Sequence, residues 1–213
     1  MLQHLDFEPA GAIREWADRR GHDLRLIRVD AGQNLPQPGE TDLLIILGGF
    51  FDFGRPELLW FENEKKILRE HIDAQTKIFA ICGGAQLITF LLGGTVFASA
   101  TPEVGWHHVT FENERYLAFH WHSYCFSLPP NARPVSTSTA TDLQGFRFGK
   151  SSIAVQFHPE VTDQIVRDFI LRLTSPANST FHVQTGPGML EQLEPGLKSS
   201  RFLLEKILSS LEP

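Results

Sequence analysis

Along the first 94 residues, short apolar runs alternate with stretches whose apolar positions recur at helical spacing, as a sheet covered by helices demands. Leu2 to Phe7 predicts a first strand. Pro9 opens a segment in which Ile13, Trp16 and Ala17 share a helical face, and Gly21 ends it as a left-handed cap. Asp23 to Val29 reads as a second strand, followed by a Pro/Gly-rich loop through Gly39. Leu43 to Leu47 is apolar without alternation, which suits a strand buried on both faces of a parallel sheet, and Gly48 and Gly49 end it abruptly. From Trp60 to Ile72, the spacing of Phe61, Leu68 and Ile72, with Ile67 beside them, predicts an amphipathic helix. Lys77 to Ile81 is a strand, and a short helix after it ends at Gly93 and Gly94.

The pattern then changes. Thr95 to Lys150 holds short β-rich pieces separated by turn signals, as in antiparallel hairpins. Ser152 to His158 is again a strand, and from Thr162 the positions Ile165, Val166, Phe169, Ile170 and Leu173 define one face of a helix. Ser175 to Ser199, rich in Pro, Gly and polar residues, predicts a long loop; Leu204, Leu208 and Leu211 then predict a docked terminal helix over Phe202 to Leu211. The fold class expected is α/β, a central, mostly parallel sheet flanked by helices with an antiparallel β-rich second half. Residues 1–174 make one domain, and 175–213 are a loop and helix extension packed on it.

Composition narrows the function. At 213 residues the length prior is about 1.4 domains, enough for one elaborated domain. The charge is 19 − 25 = −6, which speaks against nucleic acid or an anionic membrane surface as main partner. Cys82 and Cys125 lie in different contexts without CxxC spacing, so neither a disulfide framework nor a zinc knuckle is expected, and a reducing cytoplasm fits. The start lacks a basic region followed by an apolar one, and no apolar run is long enough to span a bilayer. Asn178-Ser-Thr matches a glycosylation sequon, a tripeptide common by chance. His107 and His108 are neighbours on a strand and face opposite sides, so no metal site is expected of them, nor any cofactor.

The chemistry-bearing segment is Ala80-Ile81-Cys82-Gly83-Gly84-Ala85-Gln86, where a strand runs straight into a helix. This has the steric logic of a nucleophile elbow, whose positions two before and two after the nucleophile must be small; Ala80 and Gly84 meet that need. A helix N-terminus favours thiolate over thiol, and the thiolate is the form that attacks carbonyls. Alone, the segment also fits a buried structural cysteine. His158-Pro-Glu160, at a strand end, offers an imidazole and an orienting carboxylate together, so Cys82, His158 and Glu160 are candidate nucleophile, base and orienter. Gly48-Gly49, after the buried strand, reads either as a tight turn or as backbone N–H groups turned toward an oxyanion, with Gly49 and Gly83 as the two donors.

Together these segments resemble class I, triad-type glutamine amidotransferase domains, with G-x-C-x-G-x-Q for the nucleophile, a GG oxyanion strand and HPE. Gln3-His4 with Pro9 and Gly11, Glu103 to Val109, and Trp121-His122-Ser123 before Leu128-Pro129 are similar to the amidotransferase domain of GMP synthase in a stand-alone form. The resemblance spans about residues 2 to 173. It implies a flavodoxin-like sheet and hydrolysis of the glutamine side-chain amide through a Cys82 thioester. Gln86 and the backbone around Ser123 and Tyr124 would hold the substrate. The ammonia would go to an acceptor, with a separate synthase subunit and a homodimer both left open. Three positions depart from the pattern: Ala80 for glycine, Gly83 for a bulkier residue, and Phe50 for proline after GG. Two other readings stand beside this one. One is a γ-glutamyl peptidase or hydrolase using the same three residues; the other is an inactive binding module, against which the intact Cys82, His158 and Glu160 count.

Overall fold

The computed structural model describes residues 1–51, 59–173 and 181–212. In chain order the elements are β1 (Leu2–Gln3), α1 (Ala12–Arg20), β2 (Ile27–Arg28), β3 (Leu43–Ile46), α2 (Leu59–Asp73), β4 (Lys77–Ile81) and α3 (Gly83–Leu91). They continue as β5 (Val96–Phe111), β6 (Glu114–Phe126), β7 (Arg133–Ser138), β8 (Gly145–Phe148), β9 (Ser152–Val155), α4 (Asp163–Arg172), α5 (Gly186–Glu191) and α6 (Leu193–Ser209).

All nine strands join one sheet in the order β2-β1-β3-β4-β9-β8-β7-β5-β6. Pairings from β2 to β9 are parallel and those from β9 to β6 antiparallel, so the sheet is mixed, with the parallel first half and antiparallel second half expected. The switch is local. β8 and β9 form a hairpin around Gly149, whose positive φ of 54° suits its turn, and β9 then lies parallel to β4.

Side-chain alternation explains the unbroken apolar strands. Ile45, Leu47, Phe79 and Ile81 face α1 and α6, while Leu44, Ile46, Ile78 and Ala80 face α2 and α3, so both faces of the parallel half are buried. β1 and β2 are shorter than the runs that predict them, because after Gln3 the chain leaves the sheet in a turn closed by Glu8 N–H to Leu5 O at 3.2 Å. No helix among the described residues is long and apolar enough to cross a membrane.

The long loop expected up to Ser199 is corrected: α5 and α6 occupy most of its second half. Pro187 and Pro195 stand in the first turns of these helices, where backbone N–H groups have no intrahelical partner to lose. The Asn178 sequon and the adjoining residues through Thr180 lie outside the described residues. Leu203, Leu204, Ile207 and Leu208 of α6 bury against Ile13 and Trp16 of α1 and Val109 of β5. Near its start the helix meets the Trp106 indole so closely that a Cβ on Gly196 would fall 2.5 Å from two ring carbons. Gly196→Ala therefore opposes two effects. Helix propensity favours alanine by roughly 1 kcal/mol, whereas forcing a methyl into this contact costs roughly 1–3 kcal/mol or more. The expected result is a net loss of stability in urea unfolding; a more stable variant would show that α6 does not dock on Trp106.

Candidate active site

The turn from β4 into α3 puts Cys82 at φ 49°, a strained conformation for a residue with a side chain. Its N–H donates to Val155 O at 2.8 Å and its carbonyl accepts from Gln86 N at 3.0 Å, so this one residue ties the strand edge to the first helical turn. The small residue required at position 84 has a visible reason: a Cβ there would lie 2.5 Å from the Ile46 carbonyl.

β9 is the next strand, and its extension presents His158, whose N–H donates to Phe119 O at 2.8 Å. The ring packs edge-on against Phe169, and Nδ1 donates to Glu160 Oε1 at 2.8 Å. Nε2 has no hydrogen-bond partner among the described residues. Burial works against the imidazolium, but the Cys82 sulfur and the Glu160 carboxylate outweigh it and hold the pKa well above the usual histidine value. The Glu160 segment is clamped by its main chain: Glu160 O accepts from Ala12 N at 2.8 Å, and Gly11, at φ 51°, is pressed so close that a Cβ would sit 2.1 Å from that oxygen.

The two predicted oxyanion residues meet. A Cβ on Gly83 would lie 2.2 Å from Gly49 O, 2.7 Å from Gly49 N and 2.9 Å from Phe51 Cε2. This accounts for the missing bulk after the nucleophile, since the Gly49 backbone and the Phe51 ring already fill the space. Phe51 stacks on Phe61 and meets His4 edge-on.

Among the described residues, Gln86 reaches the sulfur through a residue not anticipated from the sequence. Its Nε2 donates to Gln156 Oε1 at 3.3 Å, and Gln156 Nε2 approaches Cys82 Sγ at 3.6 Å. Ser123 and Tyr124 are exposed on β6, and among the described residues no hydrogen bond joins them to Cys82, His158 or Glu160. His107 and His108 do diverge, the first half-buried and the second exposed.

Glu8 was also unanticipated. It is buried, its Oε2 has no hydrogen-bond partner among the described residues, and a Cβ on Gly48 would touch both that oxygen (2.2 Å) and His158 Cε1 (3.3 Å). Burial, reinforced by Glu160 and opposed by His158 and His4, raises its pKa to about 7. The folded state thus binds this proton more tightly than the unfolded chain, and the linked stability is lost as pH rises from the unfolded value of about 4.5 through about 7. Over that window wild type should lose roughly 3 kcal/mol relative to Glu8→Gln. Urea unfolding of both proteins at pH 5 and pH 8 checks this; parallel profiles would refute it.

The family described as glutamine amidotransferase class-I matches residues 6–174. A glutamine amidotransferase-like protein of Salmonella typhimurium, YfeJ, is 29% identical over 184 residues, 78% of this chain and 77% of that one. A glutamine-hydrolyzing GMP synthase of Flavobacterium psychrophilum is 27% identical over 151 residues, covering 62% of this chain but 30% of the synthase. In fold, the chain is similar to a glutamine amidotransferase of Thermotoga maritima, with TM-score 0.85 and 24% identity over 100% of this chain and 96% of that one.

Proposed function

The chain belongs to the class-I glutamine amidotransferase family, whose activity is hydrolysis of the glutamine amide or transfer of its nitrogen, and from that premise we propose that Cys82, His158 and Glu160 perform the hydrolysis through a thioester. Cys82 Sγ attacks the side-chain carbonyl carbon of glutamine, and the charge that develops on oxygen is met by the Gly49 and Gly83 N–H groups. His158 gives its Nε2 proton to the departing nitrogen, which leaves as ammonia with cleavage of the C–N bond. Water then attacks the γ-glutamyl thioester while His158 takes a proton from it; glutamate departs and the sulfur is regenerated. Glu160 accepts the Nδ1–H throughout, fixing ring and tautomer. Gln86 would act through Gln156, and the Ser123–Tyr124 backbone would hold the substrate's α-groups. The ammonia would pass to an acceptor domain or subunit, by analogy with the glutamine-hydrolyzing synthase of which the matched region is 30%.

The observation that supports this reading is the 2.8 Å His158–Glu160 bond placed beside a strained cysteine on the adjoining strand. The test is intact-mass analysis after incubation with a glutamine-mimicking diazoketone and a panel of γ-glutamyl compounds. One adduct mapping to Cys82 is expected. No adduct from any member would favour the binding-module reading, and an adduct only from γ-glutamyl peptides would favour a peptidase.

A further inference from the structure

We propose that Glu103, His120 and His122 form a binding site for a divalent transition-metal ion of the zinc type. Pairing of β5 with β6 sets Glu103 directly opposite His122, and His120, two residues earlier on β6, projects from the same face. The three side chains are buried, and one ligand atom from each lies within 4.8 Å of the other two. His120 Nδ1 and His122 Nε2 are 3.2 Å apart, Glu103 Oε2 and His122 Nε2 3.6 Å, and Glu103 Oε1 and His120 Nδ1 3.9 Å. Ligands bonded to one tetrahedral zinc at its usual distances are separated by about 3.3–3.6 Å, so an ion fits once a rotation of the carboxylate brings one Glu103 oxygen toward both imidazoles.

The surroundings orient the donors. His122 Nδ1 donates to Tyr124 O at 3.2 Å, which leaves the Nε2 lone pair directed at the cluster. Thr141 Oγ1 at 3.0 Å and the Gln144 amide both donate to Glu103 Oε2. Among the described residues Glu103 Oε1 has no hydrogen-bond partner, although the side chain is fully buried. A buried carboxylate with an oxygen unmet is costly, and a cation bound at that oxygen removes the cost. Two imidazole nitrogens and one carboxylate suit zinc, cobalt, nickel or copper better than calcium or magnesium, and they leave a fourth position open. The sequence held no familiar metal spacing here, since the set is completed across a hairpin.

The experiment uses the full chain without affinity tag, stripped with chelator and loaded with one equivalent of zinc. X-ray absorption should show a nitrogen and oxygen shell with the outer scattering of two imidazoles. A sulfur neighbour at about 2.3 Å would place the ion on a cysteine, Cys82 or Cys125, and overturn the proposal. In parallel, Glu103→Gln, which keeps shape and most hydrogen-bonding capacity, should weaken zinc at least tenfold in a competition titration with a chromophoric chelator. Unchanged affinity, or failure of wild type to hold zinc at all, would mean that the three residues form a hydrogen-bonded network only. Neither readout uses amide hydrolysis, so the outcome is independent of the reading of Cys82.

Discussion

Cys82→Ala is expected to abolish ammonia release from glutamine, with kcat down by at least about 10⁴-fold, because removal of a covalent nucleophile leaves only binding and the oxyanion donors. The fold should survive, since the contacts that set the elbow are main-chain ones, Cys82 N–H to Val155 O and Gln86 N–H to the Cys82 carbonyl. Cys125→Ala is the control. Its sulfur is buried on β6 with a 3.8 Å polar contact to Thr141 Oγ1, away from His158 and Glu160 in sequence and strand, and this variant should keep most activity. Continuous ammonia assays on the three proteins decide it. Residual hydrolysis by Cys82→Ala above about one percent of wild type would remove the thioester from the mechanism.

The second large effect is expected of Glu160→Gln, a fall in kcat/KM on the order of 10³–10⁴ by comparison with neutralising the orienting carboxylate of a serine triad. The substitution leaves the Glu160 carbonyl that holds Ala12 N untouched, so the thermal midpoint should move little compared with the rate. The pH profile supplies a readout that a purely structural role would not move. Glu160 raises the pKa of His158, so without its charge the ring loses its proton at lower pH. The alkaline limb of kcat/KM should therefore shift toward acid. A variant with wild-type rate and an unmoved limb would show that the carboxylate does not act on the ring.

The residues of this site were legible in unequal measure. Cys82 stands in a heptapeptide whose steric demands are all local, and His158 and Glu160 are two residues apart, so both segments can be read without knowing the fold. Lys77–Ile81 was likewise readable as a strand, being a short run with a sharp end. Glu8 and the Glu103, His120 and His122 cluster were not, because each depends on contacts between distant segments. Glu103 meets His122 only after a shift in pairing between Ala98 and Glu103, which no periodicity reveals. Gly196 misled for a similar reason. Within its own segment it signals a loop, and only the Trp106 ring, 90 positions earlier in the sequence, explains why a helix carries it. The early strands were over-extended because an apolar run does not say where a chain must turn away; here His4 swings out to meet Glu64 at 2.8 Å.

The adjacency of β4 and β9 has a consequence for how such a protein can diverge. Ile81 sits beside Val155, so sulfur and imidazole are set by how far each chain runs past that one pairing. The roughly seventy residues between leave this pair of strands, build the other half of the sheet and come back. For the reacting groups that excursion is spacer, free to lengthen, shorten or acquire new surfaces. A slip of a single residue between the two strands, by contrast, would turn one partner to the opposite side of the sheet. Evolutionary novelty is therefore cheap in the middle of the chain and close to forbidden at two short stretches.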